Sequence, residues 1–279
     1  MYQLAGLDLD GTLYDRHLNI SDYNRAALRE WVAAGRMVAI TSGRMLPRVS
    51  ALMREELQLP GYRMCLNGAV VYDTNDQLIA AHPLGKSTVL RAFLLARRYG
   101  VRIRFYSEDY HALYSPELAA NYQGGALNRD VVFKNRVQLQ QLLARPDVVF
   151  YKFTLEAALL NVPALLLARR ALMQLPLAMT RSKHLLYEGT APGVNKLLGM
   201  QVIAEHAGIT LRECICFGDQ LNDAEMLAGV GCGVAMANAV PAVKRISDEI
   251  GPSNVADGVG KILRRELSRD ARLSKKLPK

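Results

Sequence analysis

The 279-residue sequence predicts an α/β fold in which a parallel-sheet core is interrupted by a second, inserted domain. Strand-like and helix-like segments alternate near both ends of the chain, which is the pattern of parallel βαβ units. Between about residues 83 and 187 the strand-like segments no longer end on carboxylates, which predicts a separate α+β domain. We therefore expect a core domain of residues 1–82 and 188–279 around an insertion of residues 83–187.

The first half of the core shows clear local signals. We predict a strand over YQLAGLDL, and a helix that begins at its N-cap Ser21 and ends at about Ala34. A second strand is predicted over RMVAITS and a second helix over LPRVSALMREEL. The segment RMCLNGAVVYDTNDQLIAAH is typical of a strand followed by a hairpin.

The second half resumes the alternation. We predict a helix over GVNKLLGMQVIAEHAG, a strand over LRECICF, a helix over NDAEMLAGV and a strand over GCGVAMA. In the insertion, VRIRFYS, DVVFYKFTLE and HLLYE favour strands, whereas STVLRAFLLARRYG and VPALLLARRALMQ favour helices.

Composition argues against several classes of protein. The most apolar stretch, NVPALLLARRALMQLPLAM, is broken by prolines and arginines, so no membrane-spanning helix is expected. The first residues lack the layout of a signal peptide, which favours a cytoplasmic protein. The four cysteines, among them Cys214 and Cys216, lack the spacing of a zinc site and are expected to be buried thiols.

The net charge of +9 is concentrated near the end of the chain. Arg264 to Lys279 contains seven Lys or Arg residues against Glu266 and Asp270. We expect this segment to be a frayed basic tail, and we expect no nucleic-acid-binding surface because no basic stripe with interleaved aromatics occurs elsewhere. The remaining positive charge would suit a small anionic substrate.

The first predicted strand ends on two carboxylates. Asp8 and Asp10 in AGLDLDGTLYD are two residues apart, so both leave one face of the strand at the sheet edge where α/β proteins bind ligands. A simple Asp-Gly turn would explain the pair equally well. An EF-hand loop fits poorly because Leu13 stands where that loop requires Gly.

Further polar residues follow other predicted strands or begin a helix. They are Ser42, Gly43 and Arg44 in VAITSGR, Lys196 in GVNKLLG, and Asp219, Asn222 and Asp223 in CFGDQLNDAEML. Taken singly, each is explained by capping, solvation or turn formation. Taken together, three acids can hold a hard divalent cation such as Mg²⁺, while a lysine and backbone amides can hold phosphate oxygens. The set therefore predicts phosphoryl transfer.

The ordered set DLDGT, TSGR, a helix-starting lysine and GDQLND resembles the haloacid dehalogenase-like hydrolases. LNGAVVYD and the closing GVAMANAVPAVKRISDEIGPSNVADGVGKIL resemble the Cof-type (class IIB) phosphatases in particular. The insertion has the place and size of their C2-type cap. The resemblance implies a doubly wound, Rossmann-like core with an α+β cap, and Mg²⁺-dependent hydrolysis of small phosphate monoesters.

The resemblance also implies roles for the acids. Asp8 matches the nucleophile that becomes an aspartyl phosphate. Asp10 matches the general acid/base, with its backbone carbonyl on the metal. Asp219 matches the principal acidic metal ligand and Asp223 the supporting acid.

Phosphate-binding and cleft positions are implied in the same way. Ser42, with Gly43 beside it, Lys196 and Asn222 match phosphate-binding positions, and the lysine also restrains Asp8. Arg44 and Asn67 match the core side of the substrate cleft. Two departures are notable: Thr41 is a second hydroxyl that can take the place of Ser42, which is favoured because it precedes the Gly-Arg pair, and Asn195 replaces the usual Ser or Asp before the lysine.

The substrate is expected to be a small phosphorylated metabolite, a sugar phosphate first and a phosphorylated cofactor such as pyridoxal phosphate second. The insertion offers several candidate contacts to it: Arg102, Arg104, Tyr106, Tyr122, Lys152 and Lys183. A phosphotransferase or phosphomutase on the same scaffold is one alternative. A non-catalytic module that binds phosphorylated ligands is another.

Overall fold

The computed structural model describes residues 1–117, 130–157, 161–183 and 185–274. The chain divides into two compact units. The first comprises Met1–Arg44, Arg48–Ala80 and Asn195–Lys279, and the second comprises Met45–Pro47 and Ala81–Val194.

Strands of the described residues are numbered in chain order. They are β1 (Leu4–Leu7), β2 (Met37–Thr41), β3 (Tyr62–Cys65), β4 (Val70–Tyr72), β5 (Leu78–Ala81), β6 (Arg102–Tyr106), β7 (His111–Tyr114), β8 (Asp130–Val132), β9 (Lys152–Glu156), β10 (Ala178–Lys183), β11 (Leu186–Thr190), β12 (Cys214–Gly218), β13 (Cys232–Met236) and β14 (Glu249–Gly251).

The α-helices are numbered in the same way. They are α1 (Asp22–Ala33), α2 (Leu46–Ala51), α3 (Lys86–Arg98), α4 (Arg136–Ala144), α5 (Val162–Leu172), α6 (Lys196–His206), α7 (Ala224–Gly229), α8 (Pro241–Lys244) and α9 (Gly258–Ser274). Within the described residues, no helix has both the length and the apolar character needed to span a bilayer.

The first unit is built on an eight-stranded sheet in the order β14-β13-β12-β1-β2-β3-β4-β5. Its strands are parallel from β14 through β3, and β4 is antiparallel to β3. The strand order reverses at β1, which pairs with β2 on one side and β12 on the other. The predicted α/β class with a parallel-sheet core is confirmed, and the carboxyl ends of β1, β2 and β12 meet where such sheets bind ligands.

The central strands β1 and β12 of this sheet are uniformly apolar. All residues of β1 and β12 are buried, as expected for strands covered on both faces. The predicted cap of α1 is also present, since Ser21 Oγ accepts a hydrogen bond from the Asn24 N–H at 3.1 Å. The four cysteines are buried free thiols, as predicted.

The second unit has a six-stranded sheet in the order β10-β11-β9-β6-β7-β8. Neighbouring strands are antiparallel except for the parallel pair β7 and β8. An apolar core that includes Phe93 of α3, Phe105 of β6 and Leu165 of α5 packs helices against one face of this sheet. Because β11 pairs with β9 and β10, the unit extends to Val194, past the predicted boundary at 187.

Several elements of the second unit lacked a strong sequence signal. β7, β8, β10 and α4 were not predicted, and DVVFYKFTLE contains strand β9 only in its second half. β7 and β8 are short, and β10 mixes polar and apolar residues without a clear alternation. The start of α4 is marked by Asn135, whose side chain accepts a hydrogen bond from the Gln138 N–H.

The prediction of a frayed C-terminal tail is wrong for residues 264–274, which form the end of α9. Val259, Ile262 and Leu263 lie on its buried face. Glu266 and Asp270 are buried on the same helix. Arg264 pairs with Glu30 and Arg265 with Glu249, and the high charge count hid an amphipathic helix.

One buried ion pair ties α9 to the opposite end of the chain. Arg36 Nη2 lies 2.6 Å from Asp270 Oδ2, and the Arg36 guanidinium stacks on Trp31 at 4.4 Å. Both charged side chains are almost completely buried. Removing one partner would therefore leave a buried charge uncompensated.

We expect Asp270→Ala to lower the free energy of unfolding by about 3 kcal/mol, because Arg36 would remain buried without its carboxylate. Urea denaturation measures this change. The matched control is Arg264→Ala, which breaks the exposed pair with Glu30 and should change stability little. Equal losses in the two variants would contradict this assignment.

Candidate active site

The backbone of the turn after β1 packs against Asp219, the residue that follows β12. Asp8 directly follows β1, and its N–H donates to the Phe217 carbonyl of β12 at 3.1 Å. Gly11 has a φ of +86°, and a Cβ there would lie 2.4 Å from Asp219 Oδ2. The Asp-Gly sequence is thus more than a turn former, because only glycine permits both this backbone angle and this approach.

Lys196 lies at the centre of the site. It begins α6, whose N-cap Asn195 accepts a hydrogen bond from the Leu198 N–H at 2.9 Å. Its fully buried Nζ donates to Asp8 Oδ1 and to Asp223 Oδ1, both at 2.6 Å. Burial alone would lower the pKa of Lys196, but the carboxylates of Asp223 and Asp8 reverse this effect and raise it, so the ammonium stays charged.

Three buried acids converge beside this lysine. Oxygen atoms of Asp8, Asp219 and Asp223 lie within 4.8 Å of one another. Asp223 Oδ2 accepts from the N–H groups of Asp219 and Gln220, both at 3.0 Å. Asp219 Oδ1 is buried and has no hydrogen-bond partner among the described residues. An unsatisfied carboxylate oxygen in an all-oxygen cluster with one nearby cation fits a hard divalent metal ion.

Burial and mutual repulsion shift the titration of these acids. Burial raises the pKa of Asp8, with a further contribution from Asp223 that Lys196 only partly offsets. Burial and then the charge of Asp223 raise the pKa of Asp219 to about 6. The folded protein without a cation therefore resists full ionisation of the cluster.

This shift predicts that, in chelator, the contribution of Asp219 to the free energy of unfolding falls as pH rises from about 4 to about 6. Over that range Asp219 keeps its proton when folded and releases it when unfolded, so the unfolded state binds fewer protons and higher pH favours unfolding. The contribution is on the order of 2–3 kcal/mol and is complete above the folded pKa. Urea denaturation across this pH range measures it.

The free energy of unfolding of wild type minus that of Asp219→Asn should therefore fall over this range, whereas Asp22→Asn, at an exposed position of α1, should follow wild type. Adding Mg²⁺ should restore stability near pH 7. A difference in stability between wild type and Asp219→Asn that does not fall over this interval in chelator would disprove the shift.

Asp10 lies apart from the acidic cluster. Its carboxylate receives two hydrogen bonds from Arg44, Nη2 to Oδ1 at 2.7 Å and Nε to Oδ2 at 3.1 Å. The Asp10 side chain is 40% exposed, compared with 10% for Asp8. The two acids of the opening motif therefore occupy different environments. The sequence did not indicate the pairing with Arg44, because nothing in a separation of 34 positions identifies a partner.

The end of β2 supplies two buried hydroxyls. Ser42 Oγ accepts a hydrogen bond from the Arg44 N–H at 3.2 Å, which places Gly43 in a tight turn between them. Thr41 Oγ1 is buried and has no hydrogen-bond partner among the described residues. Because β2 is the parallel neighbour of β1, both residues lie at the same edge of the sheet as Asp8.

The segment after β3 has left-handed backbone angles and contacts the turn that follows β2. Leu66, Asn67 and Gly68 have φ values of 52°, 61° and 91°. The Asn67 N–H donates to the Ser42 carbonyl at 3.0 Å, and Asn67 Oδ1 accepts from Asn222 Nδ2 at 3.3 Å. Consecutive residues in this region are strained, and such strain persists where surrounding contacts over-determine it. The sequence motif placed Asn67 here, but the strain was not predicted.

We expect Gly68→Ala to destabilise the protein by about 2–4 kcal/mol, because a side chain disfavours positive φ and its Cβ would lie 2.2 Å from the Asn195 carbonyl oxygen. The clash would also displace the start of α6. Gly35→Ala is the matched control, since Gly35 has a φ of +78° but open space around its Cβ position. A loss no larger than the control's, measured by thermal unfolding, would contradict the prediction.

Comparison with known proteins identifies the family. A model of the haloacid dehalogenase-like hydrolases matches residues 6–263. The chain belongs to this family, so the resemblance of its motifs to the haloacid dehalogenase-like hydrolases is confirmed.

Relatives of similar length support this assignment. The 5-amino-6-(5-phospho-D-ribitylamino)uracil phosphatase YcsE of Bacillus subtilis is 28% identical over 268 residues, which cover 94% of each chain. An HMP-PP phosphatase of Serratia proteamaculans is 26% identical over 254 residues, covering 90% of this chain and 89% of that protein.

Solved structures share the fold. A haloacid dehalogenase-like hydrolase from B. subtilis has a TM-score of 0.81 at 22% identity, covering 94% of this chain and 99% of that one. The subclass IIB sugar phosphatase BT4131 has a TM-score of 0.77 at 21% identity, covering 94% and 98%.

Proposed function

We propose that the protein is a Mg²⁺-dependent phosphatase that hydrolyses small phosphate monoesters through an aspartyl phosphate on Asp8. The observation that carries this proposal is the buried contact of Lys196 with Asp8 and Asp223, beside the unsatisfied oxygen of Asp219. Membership of the haloacid dehalogenase-like hydrolases supports it.

Four residues would hold the metal ion. Asp8, Asp219 and Asp223 offer carboxylate oxygens, and the backbone carbonyl of Asp10 is assigned by the motif resemblance. When bound, Mg²⁺ would offset the negative charge of the transferring phosphoryl group.

Asp8 would act as the nucleophile. A carboxylate oxygen of Asp8 bonds to phosphorus while the bond between phosphorus and the leaving oxygen breaks. The 2.6 Å contact with Lys196 restricts the rotation of this carboxylate and so orients it for attack. The same ammonium group would attract the equatorial phosphate oxygens.

Asp10 would move the protons. Its O–H donates to the leaving alkoxide in the first half-reaction. In the second, Asp10 takes a proton from water as the water oxygen bonds to phosphorus and the bond from phosphorus to Asp8 breaks. The greater exposure of Asp10 suits this exchange with the leaving group and with water, so the two carboxylates divide the work.

Phosphate binding would use the groups at the neighbouring strand ends. We assign it to the Ser42 hydroxyl, the Gly43 backbone, Lys196 and the Asn222 amide. Asn67, hydrogen-bonded to Asn222, would border the substrate cleft. Thr41 remains the alternative hydroxyl to Ser42.

The second unit is proposed to be the cap that contacts the leaving group. On its sheet, Arg102, Arg104 and Tyr106 alternate with the core residues Ile103 and Phe105, so they share the face opposite the helices. Polar side chains in register with them supply further recognition groups on that face.

Lys152 pairs with Tyr106 across the strands, and its Nζ lies 2.9 Å from Glu188 Oε1. Lys183 ends β10, and Tyr122 lies outside the described residues. The named relatives act on a phosphoribitylaminouracil and on HMP-PP. These substrates support a small phosphorylated metabolite as the substrate of this protein.

We expect chelation to abolish phosphate release and Mg²⁺ to restore it, because the buried acids repel an anionic substrate unless a cation offsets their charge. Phosphate release from p-nitrophenyl phosphate with and without chelator measures this.

With p-nitrophenyl phosphate, Asp8→Asn should form no phosphoenzyme. Asp10→Asn should give a burst of nitrophenol and a slow steady rate, since this leaving group needs no proton. Stopped-flow absorbance and mass spectrometry of the trapped intermediate measure these results.

The exposed Asp22→Asn serves as the matched carboxylate control and should resemble wild type. Undiminished activity in chelator, or phosphate attached to a residue other than Asp8, would refute the proposal. Transfer of the phosphoryl group to an added alcohol without release of inorganic phosphate would instead identify a phosphotransferase.

A further inference from the structure

Arg44 holds the carboxylate of Asp10 in a planar, two-point contact. Its Nη2 and Nε donate to different oxygens of Asp10, at 2.7 and 3.1 Å. The guanidinium carbon lies 5.3 Å from the centre of the Tyr14 ring, within the range of a cation–π contact. The Arg44 N–H is itself bound by Ser42 Oγ. The arginine is therefore anchored at its backbone and along its side chain.

Two cations separate the acids of the site. Lys196 contacts Asp8 and Asp223, whereas Arg44 contacts Asp10. The oxygens of Asp10 are absent from the cluster formed by Asp8, Asp219 and Asp223. Because a lone aspartate side chain can rotate toward a nearby cation, some contact must keep Asp10 outside that cluster.

We propose that Arg44 is a positioning residue that fixes the Asp10 carboxylate for proton transfer, with the Tyr14 ring as its support. This inference rests on the proposed function. A carboxylate has about four lone-pair sites, and the Arg44 fork uses two of them. The two hydrogen bonds from Arg44 fix the plane of the Asp10 carboxylate and leave its other lone pairs available. Asp10 therefore exchanges its proton with the leaving group or with water from a fixed orientation.

The geometry requires arginine. Only a guanidinium presents two parallel N–H donors to both oxygens of a carboxylate, while lysine offers a point charge on a flexible chain. The guanidinium also lies over the Tyr14 ring at cation–π distance. Lysine at position 44 would keep the charge and lose the orientation.

The test compares two substrates in wild type, Arg44→Ala and Arg44→Lys. With an alkyl phosphate, whose leaving group needs a proton, kcat should fall about 10²-fold in both variants, because a misplaced catalytic group costs this much. With p-nitrophenyl phosphate, phosphoenzyme formation in a single turnover should fall only severalfold. Millimolar guanidinium should restore alkyl phosphate turnover in Arg44→Ala and not in Arg44→Lys.

Additional variants test the support and exclude a general effect. Tyr14→Leu should lower alkyl phosphate turnover more than Tyr14→Phe, since the latter keeps the ring. Arg264→Ala, which removes an arginine fork from Glu30 elsewhere in the unit, should not change the ratio between the substrates.

Equal losses on both substrates, without guanidinium rescue, would overturn the positioning role and indicate a merely structural arginine. Retention of wild-type rates on both substrates would also overturn it. A wild-type protein that releases no phosphate from either substrate would instead refute the proposed function, so the two failures are distinguishable.

Discussion

The contact of Lys196 with Asp8 and Asp223 is the interaction on which the rest of the site depends. Three carboxylates buried within a few ångströms repel one another, and burial penalises each charge. One fully buried ammonium group offsets part of that repulsion and fixes two of the acids. A bound divalent cation would offset the remaining negative charge, which is why this cluster of carboxylates suits a metal ion.

The first unit was the part of the fold most accessible to prediction. Its central strands are uniformly apolar and end on polar residues, so strand pattern and site pattern mark the same positions, as at Asp8 and Asp219. The helix α9 was mistaken for a tail because its charges outnumber its apolar residues, although Leu263 and Glu266 are buried. Charge count alone does not separate a solvated tail from a helix whose basic residues are paired.

Sequence patterns did not predict which side chains distant in sequence contact one another. The motifs brought Asp8, Ser42, Lys196 and Asp219 to one edge, but spacing does not show which oxygen meets which nitrogen. The pairing of Arg44 with Asp10 depends on the turn geometry after β2, which is set by long-range hydrogen bonds. In the second unit, β7 and β10 are stabilised by their neighbours in the sheet more than by their own residues.

The central position of β1 also bears on how the protein is made. This strand pairs with β12, whose residues lie about 210 positions later in the chain, with the whole second unit between them. During synthesis β1 therefore has only β2 beside it until the ribosome has reached residues 214–218, about three quarters of the way along the polypeptide. The second unit, with its own apolar core, is complete in the nascent chain earlier. An exposed edge of an unfinished sheet is open to wrong pairing, so the interval before β12 emerges is the period in which chaperones would matter most for this protein.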